Sequence, residues 1–473
     1  MTSEDEGFLY FCESEANWVA APRAPMTILR GGAEPEIELR IIAQPVTVKE
    51  PLRYQFGFQA TPVKPLDRDW REQNYGPGGT PIPHQTLQPW MNGYTQHEGL
   101  WHVSRPDALR KFHEQVTRTG IRVYYYATTS CTPNNSPMYA LFRKLWDDPF
   151  PAQFGPSENP ESRLRPATTP YFLVPVCPGA PTFVEYQLWL AKNMAEQIGA
   201  RGFYTDTDDV WPCDNRRHGC GFTDVFGKSG VTWTILNKRE FSKRVAALMR
   251  SLGGERGRGY WLTHAHSKLT PPVHCFADAF YPGEEYTHRL YNNKWYYIAD
   301  MPEVDYRVQL SPLASGMVQA FLPEFWRGSK DEQDVKVPGP TESLLAMCAV
   351  NDVLCTAAYM NRSSMEEWWG LRKRLAFNDA KFTAYWRPNC PVKTPSPEAR
   401  ASVYTWPGRA AIAIANRQPQ DAEVAVEVDL KAFGLSSNAV TAVDERTGNR
   451  LALTNGRFTV PVKARNYTFV SLK

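Results

Sequence analysis

The hydrophobic pattern of the chain changes its period twice. Between residues 7 and 50, "GFLYF", "PMTILRGG" and "EIELRIIAQPVTVKE" alternate apolar and polar positions between Gly and Pro breaks. That pattern predicts short β-strands. Three or four such strands make a poor sheet by themselves, so residues 1–50 read as a partial N-terminal β-sandwich, whose strands either lean on the next domain or are what remains of a longer sandwich. From residue 51 the pattern becomes strand, loop, helix, repeated. Candidate strands are 53–60, 121–128, 171–176, 202–206, 260–264, 274–280, 317–322 and 355–360, most of them short apolar runs. Between several of them apolar residues recur at helical spacing, as in "TFVEYQLWLAKNMAEQIGA" and "SMEEWWGLRKRLAF". "PDALRKFHEQVTRTG" opens on Pro106 and Asp107 and stops at Gly120, which is sound helix start and stop chemistry. Eight such strands joined by helices over about 330 residues predict an α/β fold, a (β/α)8 TIM barrel spanning 51–380. Beyond 381 the helical spacing ends. "ASVYTWPGRAAIAIANRQ", "DAEVAVEVDL" and "GRFTVPVKARNYTFVSLK" alternate again, and "RTGNR" reads as a hairpin turn, so 381–473 is predicted to be a C-terminal β-sandwich.

Composition narrows the function classes. Aromatics are 13% of the 473 residues, with 15 Trp and 22 Tyr, beside 39 Pro. Most of those rings belong to the core, but rings on Pro-rich loops also suit the stacking of sugars. The net charge is +3 with no basic run, which excludes an electrostatic footprint for nucleic acid. No apolar stretch approaches about 18 residues, so no membrane-spanning helix is expected. "MTSEDEGFLYF" has no apolar core of a signal peptide. Nine cysteines, an odd number over a long chain, are not a disulfide scaffold, and Cys348 and Cys355 read as buried thiols. No G-x-S-x-G, G-x-G-x-x-G or phosphate-loop motif is present, and no cofactor is expected.

In a barrel of this kind the chemistry sits where the strands end. The predicted strand ends carry Lys64, Asp67 and Asp69, then a loop with Trp70, Tyr75, Trp90, His97 and Trp101; Asn134 and Asn135; Asp206, Asp208 and Asp209; His264 and His266; Asp278, Tyr281, Glu284 and Glu285; Glu324; and Asn361 with Arg362. Glycosidic cleavage needs carboxyl groups on two sides of an oxocarbenium-like centre. The candidate catalytic acids are therefore Asp206, Asp208, Asp209, Asp278, Glu284 and Glu285. Lys64, Trp211, Arg216, His218, His264, His266, Tyr281 and Glu324 are candidate sugar-binding groups. Cys213, His218 and Cys220 follow the fourth strand with C-x4-H-x-C spacing. A Cys213–Cys220 disulfide, two free thiols and a zinc site all fit that spacing; zinc wants a fourth ligand that the sequence does not make obvious, and no metal is assigned. The H-x-H of His264 and His266 keeps a metal-dependent hydrolase as a rival reading, and a non-catalytic carbohydrate-binding barrel is another.

"YQFGFQATPVKP", "GFYTDTDDVWPCDNRRHGCGF" and "FADAFYPGEEY" together resemble the bacterial proteins grouped with glycoside hydrolase family 123, in particular a branch sharing an N-terminal sandwich and barrel, over roughly residues 7 to 470. The resemblance implies a glycoside hydrolase, acting on an oligo- or polysaccharide in the periplasm or outside the cell, whose chain begins inside the first sandwich. Family members hydrolyse β-linked N-acetylgalactosamine with help from the substrate's acetamido group, using an adjacent Asp–Glu pair after strand four. The matching place here reads Asp208–Asp209. An acid on strand four with acids after strand six is also similar to the α-galactosidase-type barrels, in which one carboxylate is nucleophile and the other acid/base; on that analogy retention is expected.

Overall fold

The computed structural model describes residues 3–19, 25–29, 36–77, 83–87, 99–147, 173–253, 257–325, 336–435 and 440–473. Trp90 and His97 lie outside the described residues. Near the N-terminus, β1 (Gly7–Cys12), β2 (Met26–Leu29), β3 (Glu36–Leu39) and β4 (Phe56–Thr61) form two antiparallel ribbons, β1 with β4 and β2 with β3. The stretch 53–60, expected to be the first barrel strand, therefore belongs to a ribbon.

Eight parallel strands come next in chain order: β5 (Tyr75–Pro77), β6 (His84–Leu87), β7 (Arg122–Thr128), β8 (Gly202–Asp206), β9 (Tyr260–His264), β10 (Ala279–Tyr281), β11 (Val318–Phe321) and β12 (Leu354–Cys355). Ala357, just past β12, donates its N–H to the carbonyl of Tyr75 at 2.8 Å and so links the last strand to the first. The fold is a (β/α)8 TIM barrel. The stretch 171–176 is not one of its strands: Leu173–Pro175 pairs antiparallel with Cys131–Pro133 instead. The helices that matter for the site are α1 (Pro106–Thr117), α2 (Pro137–Trp146), α3 (Pro181–Ile198), α4 (Ile235–Ser251), α5 (Pro338–Asn351) and α6 (Arg362–Leu375).

Strand side chains alternate between two environments, as the pleat requires. Tyr75, Tyr124, Tyr126, Tyr204, Tyr260, Leu262, Ala279, Tyr281, Val318, Ala320 and Leu354 fill the barrel interior. Their neighbours Val123, Tyr125, Ala127, Phe203, Trp261 and Phe280 face the helices and pack with Leu190, Met194, Phe241 and Val245. Gly202 is required where β8 meets β7, because a Cβ there would lie 2.2 Å from the Val123 carbonyl.

The C-terminal part is a sandwich of a six-stranded and a three-stranded antiparallel sheet. Val403, Ile412, Ile414 and Val470 on one face of the larger sheet meet Val424, Val426, Phe458 and Val460 of the smaller. Tyr404, Ala411, Ala413, Tyr467 and Phe469 on its other face share a core with Leu344, Met347, Trp368 and Leu371 of α5 and α6. Burial on both faces explains why "RAAIAIAN" is apolar nearly throughout. Glu303, from the barrel, fixes the same junction by accepting bonds from Arg400 at 2.6 Å and Arg417 at 3.0 Å. No described helix is long and apolar enough to cross a membrane.

Candidate active site

Strand register places three side chains at one level of the rim. Thr205 pairs with Thr263 and His264 with Tyr281, so Asp206, His264 and Tyr281 end their strands together, all on the inward phase of the pleat. Asp206 accepts hydrogen bonds from the Tyr126 hydroxyl at 2.7 Å and the Thr207 amide at 2.6 Å. His264 Nδ1 lies 3.1 Å from Asp206 Oδ1, and the Tyr204 hydroxyl is 2.9 Å from the same nitrogen. On the far side of that ring, Nε2 is 3.8 Å from Glu284 Oε2. Glu284 opens the turn Glu284–Tyr286 after β10, and the half-exposed His266 places its Nε2 3.3 Å from the same oxygen. One buried imidazole thus stands between two carboxylates from different strands.

The charges set one another. Burial alone would raise the Asp206 pKa, but the His264 and His266 imidazoles and the Tyr126 hydroxyl hold it down to about 2. Burial would lower the His264 pKa, but Asp206 and Glu284 push it up to about 9. The site therefore holds an ionised Asp206 against a protonated His264 at neutral pH.

The other two acids of the TDTDD run have different work. Thr207 has left-handed backbone (φ 55°), which ends β8 and turns the chain away from the barrel axis. Asp208 then lies fully buried, with Oδ1 2.9 Å from Lys238 Nζ of α4 and 2.9 Å from the Thr129 hydroxyl, and Oδ2 2.7 Å from the Thr263 hydroxyl. Burial opposes its charge, and Lys238 and His274 outweigh burial to keep its pKa low. Asp209 accepts the amides of His266 at 3.0 Å and Ser267 at 2.9 Å and sits 3.3 Å from His266 Nδ1. Burial is again outweighed, here by His266 and Ser267, and its pKa is well below the usual range. Asp208 anchors the loop in the layer between strands and helices; Asp209 orients His266.

Several expected site residues lie elsewhere. Asp278 precedes β10 and pairs with the level of Trp261, whose amide it accepts at 2.7 Å, while Arg258 forms its ion pair. That level is three residues below His264, about 10 Å down the barrel. Asp278 is thus at the N-terminal end and not on the rim with Asp206. Lys64 is there too: it donates to the Ala277 carbonyl, because its segment precedes β5 and does not follow a barrel strand. Arg216 is exposed on the 216–218 turn and reaches Thr223 of its own loop, and His218 turns towards Cys213, with Nε2 3.3 Å from its Sγ. Neither side chain lines the rim. Glu285 follows Glu284, but its oxygens accept from the Gly283 amide at 2.9 Å and Gln309 at 2.8 Å, and burial raises its pKa. Glu324 lies past the end of β11, buried, with left-handed backbone (φ 47°). Trp211 is buried in the loop after β8, where its carbonyl accepts from Thr234. None of the nine cysteines forms a disulfide.

Four residues at or beneath the site were not among the sequence candidates. Tyr126 and Tyr204 touch Asp206 and His264, and their inward phase was readable from the alternation of "IRVYYYAT" and "GFYTD". Lys238 and Thr129 come from a helix and a loop whose approach to Asp208 leaves no trace in local spacing.

The rim of this barrel gathers carboxylates and imidazoles at its inner strand ends. Residues 364–449, from α6 into the sandwich, match the family described as glycoside hydrolase 123, C-terminal domain. The match covers the C-terminal part of the chain, which is similar to that family of glycoside hydrolases. Among solved structures it is similar to a noncanonic maltogenic α-amylase from Thermotoga neapolitana (TM-score 0.51, 11% identity, 85% of this chain and 91% of that one). It is similar to the α-amylase of Geobacillus thermoleovorans in complex with acarbose (TM-score 0.51, 9% identity, 83% and 88%). A cycloisomaltooligosaccharide glucanotransferase of Paenibacillus sp., in complex with cycloisomaltoheptaose, shares the fold at a TM-score of 0.53 and 9% identity, over 88% and 87%. At such identities these similarities concern the fold. No curated protein matches the chain in sequence.

Proposed function

We propose that the protein hydrolyses a glycosidic bond of an oligo- or polysaccharide between Asp206 and Glu284. The observation that carries this reading is the single buried imidazole of His264 standing between those two carboxylates at the rim. Asp206, held ionised, faces the positive charge that develops at the anomeric carbon, as nucleophile or as stabilising anion. Glu284, beside the His266 imidazole, passes a proton from that ring to the leaving oxygen. His266, backed by Asp209 and with Nε2 against Glu284, returns a proton to it between turnovers. Tyr281 and Tyr126 give the sugar an aromatic floor. Two of the similar barrels are complexed with acarbose and cycloisomaltoheptaose, which supports a carbohydrate substrate. On the family likeness, the setting proposed is outside the cytoplasm.

The test is a panel of aryl glycosides and polysaccharides, followed by Asp206→Asn and Glu284→Gln made separately. Each should lower turnover at least about 100-fold while sugar binding persists. If Asp206 is the nucleophile of a double displacement, azide rescues one variant as a glycosyl azide. Near-wild-type turnover in both variants overturns the pair, and wild-type sugar binding without any turnover points to a binding protein.

A further inference from the structure

Four ligand-type side chains from two distant stretches converge beside the loop that follows β8. Cys177 stands just before α3; Cys213, His218 and Cys220 come from the loop itself. Their ligand atoms all lie within 4.8 Å of one another. Cys177 and Cys220 Sγ are 3.8 Å apart, and Cys213 Sγ is 3.3 Å from His218 Nε2. A tetrahedral zinc ion, with Zn–S about 2.3 Å and Zn–N about 2.0–2.1 Å, holds two sulfurs about 3.8 Å apart and a sulfur and nitrogen about 3.6 Å apart. A disulfide would need about 2.05 Å between sulfurs, and three sulfurs leave one over whichever pair is oxidised.

The surroundings fit thiolates and a neutral ligand imidazole. Each sulfur accepts from an N–H donor: Gly179 to Cys177 at 3.2 Å, Asn215 to Cys213 at 3.4 Å, and the Asn237 side chain to Cys220 at 3.9 Å. His218 Nδ1 is 2.6 Å from the Leu145 carbonyl, which can only accept. Nδ1 therefore carries a proton, and in the neutral ring the lone pair of Nε2 points at the sulfurs. The three sulfurs are buried to 1% exposure or less, and a Cβ at Gly179 would come within 3.2 Å of two of them.

We infer that Cys177, Cys213, His218 and Cys220 bind one zinc ion in a closed structural site. Binding replaces three thiol protons, released to solvent, by three Zn–S bonds, and the centre carries one net negative charge that the N–H donors solvate. Its place in the fold gives it a task. Asn215, between the ligands, also donates to the Lys144 and Asp147 carbonyls at the end of α2. The ion would tie the acid-bearing loop to α2 and to the start of α3.

The experiment is elemental analysis of the purified full chain. One zinc per chain is expected, with thiolate-to-metal charge-transfer and tetrahedral d–d bands after cobalt exchange. Cys177→Ala should retain less than a tenth of the metal, and Cys131→Ala, buried outside the cluster, should retain all of it. Absence of stoichiometric zinc in wild-type protein from zinc-replete medium, iron in its place, or a Cys213–Cys220 disulfide in the peptide map overturns the assignment. The wild-type measurement stands even if the Cys177 variant fails to fold.

Discussion

Asp208→Asn separates an anchoring acid from a catalytic one. The substitution keeps the shape of the side chain and removes its charge. Lys238 Nζ is 2.9 Å from Asp208 Oδ1, with the two side chains 1% and 0% exposed. At that distance the attraction is about 6 kcal/mol for an effective dielectric of 20, set against the desolvation of both ions. Removing one partner of such a pair strands the other, here an ammonium left with the Thr129 hydroxyl at 2.7 Å, at a cost of about 3–5 kcal/mol. With roughly 2 °C lost per kcal/mol in a large domain, the midpoint of thermal unfolding should fall by about 6–10 °C. Differential scanning fluorimetry and urea titration read the loss. Turnover measured well below the new midpoint should stay within about threefold of wild type. Adding Lys238→Met should restore at least about 1 kcal/mol, since neighbours that share one interaction are not additive. An unchanged midpoint together with a hundredfold loss of turnover would refute the reasoning and return Asp208 to the catalytic set.

The remaining predictions concern the rim. For His264 the folded pKa, about 9, lies above its ordinary value of 6.5. Its contribution, about 3 kcal/mol, is complete below pH 6.5 and is lost as pH rises through 9, so stability should fall over that window and the fall should flatten in Asp206→Asn. Asp206 has the opposite sign: held down to about 2 from 3.8, it contributes above pH 3.8 and its contribution fades as pH falls towards 2, which acid-induced unfolding followed by circular dichroism should show. Gly283→Ala places a Cβ 2.4 Å from the Leu322 carbonyl at φ 128°, so it should displace Glu284 and lower kcat more than tenfold while the Kd of a non-hydrolysable ligand changes little. His266→Gln should leave the melting temperature within about 2 °C, because the side chain is half exposed, and should shift the alkaline limb of the pH–rate profile if His266 resupplies Glu284.

The sequence made some of this legible and hid the rest for physical reasons. The strands at 122–128, 202–206, 260–264 and 318–321 carry long alternating or apolar runs, and those were readable. "YGP" and "HQTL", the first two barrel strands, are three and four residues long and neither holds an apolar run, so no hydrophobic signal marks them. In their place the alternation of 53–60 and 171–176 suggested barrel strands, yet alternation says that a segment is a strand and not which strand it joins. Asp278 went to the wrong end because 271–274 is a helical turn, and the strand starts only at Ala279. The TDTDD acids look alike in sequence; the pleat of β8 turns Asp206 inward, and the left-handed turn at Thr207 sends Asp208 under a helix. His84, its ring tilted against that of Tyr75 with centroids 4.6 Å apart, went unseen with its strand.

The core shared by α5, α6 and the larger C-terminal sheet makes the last third of the chain part of the enzyme's frame. Phe377 stacks on Tyr404 at 4.3 Å, and the hydroxyls of Ser402 and Tyr404 reach back to the carbonyls of Val350 and Ala349. A fragment ending at residue 380 would bare the apolar faces of both helices to water and would be expected to aggregate when expressed. The family match, which begins within α6 and runs on into the sandwich, straddles that seam.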